Sequence, residues 1–140
     1  MTGRFVVFRT SQCNRRSRMT SHSVVRSAFV VTFVAILVLA LLPESLLQEF
    51  GIDIGLGYDK LNHAIAFAAL AVLGSLGWPE RKARLILFLA VVGAAIEILQ
   101  GTTLIGRDLD VFDWVADCIG MACGLVVAMC ANWAMHRKSG

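Results

Sequence analysis

Four almost continuously apolar stretches, separated by polar and charged segments, run along the chain. They cover residues 27–42, 61–78, 83–100 and 114–135. A helix needs about 20 mostly apolar residues to cross the hydrocarbon core of a bilayer, so each stretch approaches or reaches the length of a span. The helices of a soluble bundle have a polar face wide enough to meet water, and none of these stretches has such a face. The pattern predicts an all-α, polytopic transmembrane helical bundle of about four spans.

Three of these predicted helices carry a narrow stripe of small residues at helical spacing, with polar residues at one end of the stripe. Gly74 lies on the stripe of the second span, Gly93 on that of the third, and Gly120 and Gly124 on that of the fourth. Small residues allow helix backbones to approach closely in lipid. We therefore expect these glycines in the packed interior of the bundle, with the first span as an anchor or shield.

The composition and the placement of charge indicate a membrane protein and an orientation. The 140 residues are 57% hydrophobic and 16% charged, whereas soluble domains average about 45–50% and about 25%. Eleven of the 13 lysines and arginines lie in the N-terminal arm, in the loop between the second and third spans, or in the C-terminal tail. Because basic loops stay in the cytoplasm, both termini are expected there. The membrane orientation accounts for these basic residues, so nucleic-acid binding is not expected.

This orientation divides the chain into three parts. Residues 1–26 form a basic cytoplasmic arm, residues 27–135 form the membrane domain, and residues 136–140 form a cytoplasmic tail. The first span is slightly short, and it can be extended to Val24 if the guanidinium of Arg26 reaches toward the interface. The lipid bilayer is the expected partner of the membrane domain.

Ionisable and amide residues inside or beside the spans form the candidate functional site. All of them fall near the expected outer face, at the start of the second span, the end of the third, and the start of the fourth. They are Asp59, Lys60, His63, Glu97, Gln100, Arg107, Asp113 and Asp117. Ionisable residues in a membrane are costly and are functional candidates by default. The neighbouring Asp108 and Asp110 are interpreted as solvated loop charges.

This set of residues holds more negative than positive charge. Four carboxylates face two fixed cations, and His63 is able to add one more positive charge. Buried like charges do not all stay ionised, so a carboxyl is protonated, His63 is charged, or a cationic group binds. Glu97 is the first candidate to hold a proton. An ion-pair network that only locks three helices together is the alternative to a ligand site.

At these residues the chain resembles the VanZ-like family of small bacterial membrane proteins. The resemblance covers residues 30–132 and rests on three motifs in the family's order and spacing. They are Asp59-Lys60-x-x-His63, then Glu97-x-x-Gln100, then Arg107 with Asp113, Gly120 and Gly124. The family usually has asparagine where this chain has Asp117, which puts any role carried over to this position in doubt. The resemblance implies a multi-pass protein of the bacterial cytoplasmic (inner) membrane, related to resistance to the glycopeptide teicoplanin, and it supplies no reaction.

Three functions are open at the level of the sequence. The first is a non-enzymatic envelope protein whose outer-leaflet pocket binds a lipid headgroup, a lipid-linked envelope precursor or a partner, with Lys60 and Arg107 pairing phosphate or carboxylate. The second is an intramembrane hydrolase or transferase acting on a lipid-linked substrate, with Glu97 or Asp113 as general base and His63 as acid or base. The third and least favoured is a transporter or channel subunit.

No cofactor is expected, and no metal site is assigned. The chain has neither H-E-x-x-H nor C-x-x-C spacing, and no serine, histidine and aspartate set is recognisable. Under the enzymatic hypothesis His63, Glu97 and Asp113 are the residues to hold a divalent metal, since mixed histidine and carboxylate ligation suits several metals. We favour binding over catalysis.

Overall fold

The protein is described by a computed structural model for residues 4–43, 59–102 and 110–137, together with Leu46, Glu49 and Ile105. Within these residues the fold is a bundle of four α-helices without a strand, so the predicted all-α class is confirmed. The helices are α1 (Arg4–Leu41), α2 (Asp59–Gly77), α3 (Lys82–Gln100) and α4 (Val111–Arg137). A short 3₁₀ turn, Pro79–Arg81, joins α2 to α3.

Each helix contains a segment that is long and apolar enough to cross a membrane. In the described residues these segments are His22–Leu41, Lys60–Gly77, Pro79–Gln100 and Val111–Ala134. They agree with the four predicted spans to within a few residues. Large apolar side chains stay exposed on every helix, for example Val31, Ile65, Leu87 and Phe112. Such a surface suits lipid and not water, because exposing large apolar areas to water is unfavourable.

The first helix begins well before the predicted first span. It starts at Arg4, so much of the segment predicted as a basic arm is helical. Arg26 is accommodated because its Nε donates a hydrogen bond of 2.9 Å to the carbonyl oxygen of Gly77. Its guanidinium also lies 5.2 Å from the centre of the Trp78 ring. The charge is therefore held at the end of α2, where the free carbonyls of a helix attract cations.

Helices α2 and α4 form the most extensive contact of the bundle. A Cβ atom at Gly120 would collide with the carbonyl oxygen of Ala64, and one at Gly124 with that of Ala68. Glycine is required at both positions because the two backbones touch with no side chain between them. Both contacts advance by one helical turn in the same direction, so α2 and α4 run parallel and begin side by side.

Helix α3 runs back along α2 in the opposite direction. Near the connecting turn, Gly74 of α2 faces the side chain of Leu85, whereas further along α3 a Cβ at Gly93 would lie 3.4 Å from Cζ of Phe67. Consequently α3 ends beside the starts of α2 and α4, and α1 ends there too, as its contact with Gln100 shows below. We call this the polar end of the bundle and the opposite one the basic end.

Candidate functional site

Three ionisable side chains from three helices meet inside the polar end. They are His63 of α2, Glu97 of α3 and Asp117 of α4, and one ligand atom of each lies within 4.8 Å of the others. Nδ1 of His63 is 3.0 Å from Oδ1 of Asp117 and 3.9 Å from Oε1 of Glu97. We call these three residues the buried cluster. It exists because the parallel α2 and α4 place their first turns against the last turn of α3.

The carboxyl groups of the buried cluster are shielded from solvent. Glu97 is 4% exposed and Asp117 is 0% exposed. Within the described part of the chain, no hydrogen bond of ordinary length and angle reaches either carboxyl oxygen of Glu97 or Oδ2 of Asp117, and the backbone amide of Asp110 lies near the Glu97 carboxyl. Buried polar atoms in proteins nearly always have a partner, and leaving one unpaired costs free energy. Three converging oxygens without an ordinary hydrogen bond therefore call for a physical explanation.

A glycine of α3 leaves the space that Asp117 occupies. A Cβ atom at Gly93 would lie 2.8 Å from Oδ2 of Asp117, so a larger residue there would displace the carboxylate. Trp114 closes the same region, because its indole Nε1 donates a hydrogen bond of 3.0 Å to the carbonyl oxygen of Ala90. This contact between α4 and α3 was not anticipated from the sequence. Packing thus holds Asp117 next to His63.

A second layer lies nearer the surface and is built on Lys60. Its ammonium contacts Oδ2 of Asp110 and lies 3.0 Å from Oδ1 of Asp113. The side chain of Lys60 is 55% exposed, whereas that of Asp113 is 8% exposed. We call these three residues the rim. Since Lys60 pairs with the rim carboxylates, its charge is not directed at the buried cluster.

Asp110 is a partly exposed residue before α4, and its carboxylate has two partners. Its Oδ1 accepts a hydrogen bond of 2.9 Å from the backbone N–H of Phe112, which makes it the N-cap of α4. The Lys60 ammonium, and after it the Phe112 amide, holds the pKa of Asp110 below its ordinary value. An aspartate directly before an apolar helical stretch is an N-cap signal, so the sequence did contain this information. Asp108 lies outside the described residues.

Gln100 contacts α1, unlike the residues of the buried cluster and the rim. It is buried, and its Nε2 donates a hydrogen bond of 2.9 Å to the carbonyl oxygen of Ala40. Gln100 therefore ties the end of α1 to the end of α3. Asp59 is the first residue of α2, and its side chain lies outside the described part of the structure, as does all of Arg107. Neither can be assigned to a layer.

Asp113, named for the metal set under the enzymatic hypothesis, does not lie with the other two members of that set. The set combined His63 and Glu97 with Asp113, but Asp113 accepts its hydrogen bond from Lys60 in the rim. Asp117 is the aspartate that lies with His63 and Glu97 instead. Asp113 and Asp117 share one face of α4, so their helical spacing alone does not separate them. They differ in position along α4, because Asp117 lies one turn further into the bundle than Asp113.

Comparison with known proteins identifies one family. The model of the VanZ/LLP1 family matches residues 2–132. The match spans nearly the whole chain and includes both layers of the site described above, as well as the four candidate membrane spans up to the last turns of α4. No curated protein and no solved structure matches this chain significantly.

Proposed function

The chain belongs to the VanZ/LLP1 family, and from this premise we propose that it is a cell-envelope membrane protein that binds a polar headgroup at the polar end of its bundle. The headgroup carries phosphate or carboxylate and belongs to a lipid or to a lipid-linked envelope precursor. One observation carries the proposal: three helices bring the buried cluster and the rim together at one end. Ionisable groups inside a membrane protein are expensive and are functional candidates by default.

The distribution of charge supports an outward-facing binding site. In the described residues, Arg26 sits against the end of α2, and Arg81 and Lys82 lie where α2 connects to α3. All three belong to the basic end. Because basic segments remain in the cytoplasm, we propose that the polar end faces the outer surface of the cytoplasmic (inner) membrane. A lipid-linked precursor exposed in the outer leaflet would then meet the rim.

An anionic headgroup would bind at the rim by displacing Lys60 from its two carboxylates. Lys60 is half exposed and is held in position by two carboxylates. Arg107, three residues before Asp110 in the sequence, is the second cation that we propose for headgroup binding, since arginine binds phosphate or carboxylate bidentately. The resemblance to VanZ-like proteins relates such a site to teicoplanin resistance, through binding of a precursor headgroup.

Native mass spectrometry of the protein released from nanodiscs tests this proposal. The wild type is expected to carry a lipid or lipid-linked adduct, and Lys60→Ala and Arg107→Ala should reduce the occupied fraction severalfold. Arg84→Ala removes an exposed cation near the basic end and serves as the matched control, so it should keep the adduct. A folded wild type without an adduct, or an equal loss in Arg84→Ala, would reject headgroup binding.

The pairing of His63 with Asp117, with Glu97 close by, favours a second candidate function. This is an intramembrane hydrolase or transferase acting on a lipid-linked substrate, since a histidine beside a carboxylate can accept and return a proton. Phosphate release from a lipid-linked diphosphate by the wild type, and its loss in folded His63→Gln, would support catalysis. Absence of turnover in the folded wild type would reject it.

A further inference from the structure

We infer that the buried cluster binds one divalent transition-metal cation through Nδ1 of His63 and carboxylate oxygens of Glu97 and Asp117. The inference rests on the proposed function insofar as both sites share the polar end of the bundle, with the cation below the headgroup. The residues that would bind the cation, His63, Glu97 and Asp117, differ from Lys60 and Arg107, whose substitution tests headgroup binding. Separate experiments therefore test the two.

The distances between the ligand atoms fit a metal ion. A tetrahedral Zn²⁺ ion binds nitrogen and oxygen at about 2.0–2.2 Å, which separates its ligand atoms by about 3.4 Å. In the buried cluster the separations from Nδ1 of His63 are 3.0 Å to Asp117 and 3.9 Å to Glu97. All three ligand atoms lie within 4.8 Å of one another, so the carboxylate side chains must rotate inward to reach the ideal separation. Three helices supply one ligand each.

The unpartnered oxygens point to a ligand. No hydrogen bond of ordinary length and angle from the described residues reaches either carboxyl oxygen of the buried Glu97 or Oδ2 of the buried Asp117. In this arrangement Oε1 of Glu97 is 3.9 Å from Nδ1 of His63, which is beyond hydrogen-bond distance. A cation among the three side chains, by contrast, contacts all of them at once. The cation thus supplies a partner for the carboxyl oxygens that the described residues do not provide.

Charge balance leads to the same conclusion. A metal-bound imidazole is neutral, so with both carboxylates ionised the ligand set carries two negative charges, which one divalent cation neutralises. Among the described residues, the nearby Lys60 does not do so, because its ammonium is paired with Asp110 and Asp113 in the rim. Uncompensated buried charge costs several kcal/mol per ion, by order of magnitude. A mixed set of one imidazole and two carboxylates suits Zn²⁺ or Mn²⁺.

Asp117 supplies the second negative charge of the ligand set, which a neutral amide at this position would not, and Gly93 provides the room for its carboxylate. Three protein ligands also leave one coordination position open, as in many catalytic zinc sites. An oxygen of the bound headgroup would fill that position.

Titration with Co²⁺ as a spectroscopic probe tests the cation site. The full chain, freed of its purification tag and treated with chelator, is reconstituted in nanodiscs and titrated while visible absorbance is recorded. We expect one equivalent to bind with the spectrum of a nitrogen and oxygen site. Glu97→Gln and Asp117→Asn, which preserve side-chain shape, should each weaken binding at least tenfold. Glu80→Gln is the matched control at the basic end and should bind as the wild type does.

Thermal unfolding, monitored by tryptophan fluorescence, establishes that each variant is folded. If one of the two isosteric variants fails to fold, the other one tests the cation site. Absence of saturable binding by the folded wild type would overturn the inference. So would a thiolate charge-transfer band, which would place Co²⁺ on cysteine, or an equal loss in Glu80→Gln. A lipid adduct without Co²⁺ binding would overturn the cation site alone, whereas Co²⁺ binding without an adduct would support it and reject the headgroup proposal.

Discussion

Two aspartates one turn apart on α4 show how position along a helix decides the role of a residue. The carboxylate of Asp113 accepts a hydrogen bond of 3.0 Å from the half-exposed Lys60. That of Asp117 is fully buried beside His63. Both aspartates are buried, Asp113 at 5% and Asp117 at 0% exposure, and a buried carboxylate needs a close partner. Asp113 has the ammonium of Lys60, and Asp117 has the imidazole of His63. Substitutions at these neighbouring positions are therefore expected to have different consequences.

Replacing Asp110 by asparagine is expected to remove a pH-dependent part of the stability. Contact with Lys60 lowers the pKa of Asp110 from the ordinary value of 3.8. A lowered pKa in the folded state stabilises the protein above that ordinary value, and the stabilisation is lost as the pH falls through the lowered value. Asparagine also caps helices, so the comparison isolates the ion pair. Thermal melts in detergent should show the wild type above Asp110→Asn at neutral pH, with the gap closing in acid.

A gap between Asp110→Asn and the wild type that stays constant from neutral pH to below the pKa of the carboxyl would contradict this explanation. Glu80→Gln, at the exposed 3₁₀ turn, is the control for general effects of removing an acid. Its melting temperature should follow that of the wild type at every pH.

Arg26→Gln is expected to destabilise the bundle by about 1–2 kcal/mol. The substitution removes the guanidinium that bonds the Gly77 carbonyl and lies over the Trp78 ring. Arg26→Lys keeps the charge, so its melting temperature should lie between those of Arg26→Gln and the wild type. Tryptophan fluorescence during thermal unfolding measures the difference. Arg84→Gln is the control, and equal melting temperatures for Arg26→Gln and the wild type would show that these contacts contribute nothing.

At the scale of helices, the contact between α2 and α4 determines the geometry of the site. Direct backbone contact at Gly120 and Gly124 fixes the separation and register of the two helices. That register in turn sets His63 opposite Asp117. The small-residue stripe was visible in the sequence because helical spacing is a local property. Its partner, the backbone near Ala64 and Ala68, was not, because small apolar residues on α2 carry no distinguishing signal.

Gly120→Val is expected to lower the stability by about 1–3 kcal/mol, because the added atoms overlap the backbone of α2 and force the helices apart. The same displacement should weaken Co²⁺ binding at the buried cluster, although Gly120 is not a ligand. Ala122→Val, at an exposed position of the same helix, is the control and should melt like the wild type. Thermal unfolding and Co²⁺ titration measure the two effects. A Gly120→Val protein as stable as wild type would contradict the close approach.

At the scale of the whole molecule, α1 ends and α4 begins at the polar end, so the start of the segment His22–Leu41 and the end of α4 lie at the opposite end of the bundle. The basic residues at Arg81 and Lys82 belong to that same side, because they lie where α2 turns into α3. The polar end lies opposite, where α2 and α4 begin. The topology therefore separates the basic end from the proposed binding site by the thickness of the bundle.

Topology reporters should find both termini in the cytoplasm. Green fluorescent protein fused after Gly140 is expected to fluoresce, since it folds in the cytoplasm, while alkaline phosphatase fused there is inactive. Phosphatase inserted between residues 44 and 58 should be active, because that segment connects α1 to α2 at the polar end. An insertion beside Arg81 is the internal control and should be inactive. The reverse pattern would contradict the orientation and place the polar end in the cytoplasm.

The sequence by itself determined the all-α class, the four spans and the concentration of ionisable residues at one end of them. Apolar length, helical period and loop charge are local properties, and each can be counted along the chain. Only the tertiary structure decided which partners meet: Asp117 and not Asp113 beside His63 and Glu97, Asp110 with Lys60, and Gln100 with Ala40. Such choices depend on how deep each side chain lies and how each helix is rotated. These are set by the contact of α2 with α4, which no single stretch of sequence contains.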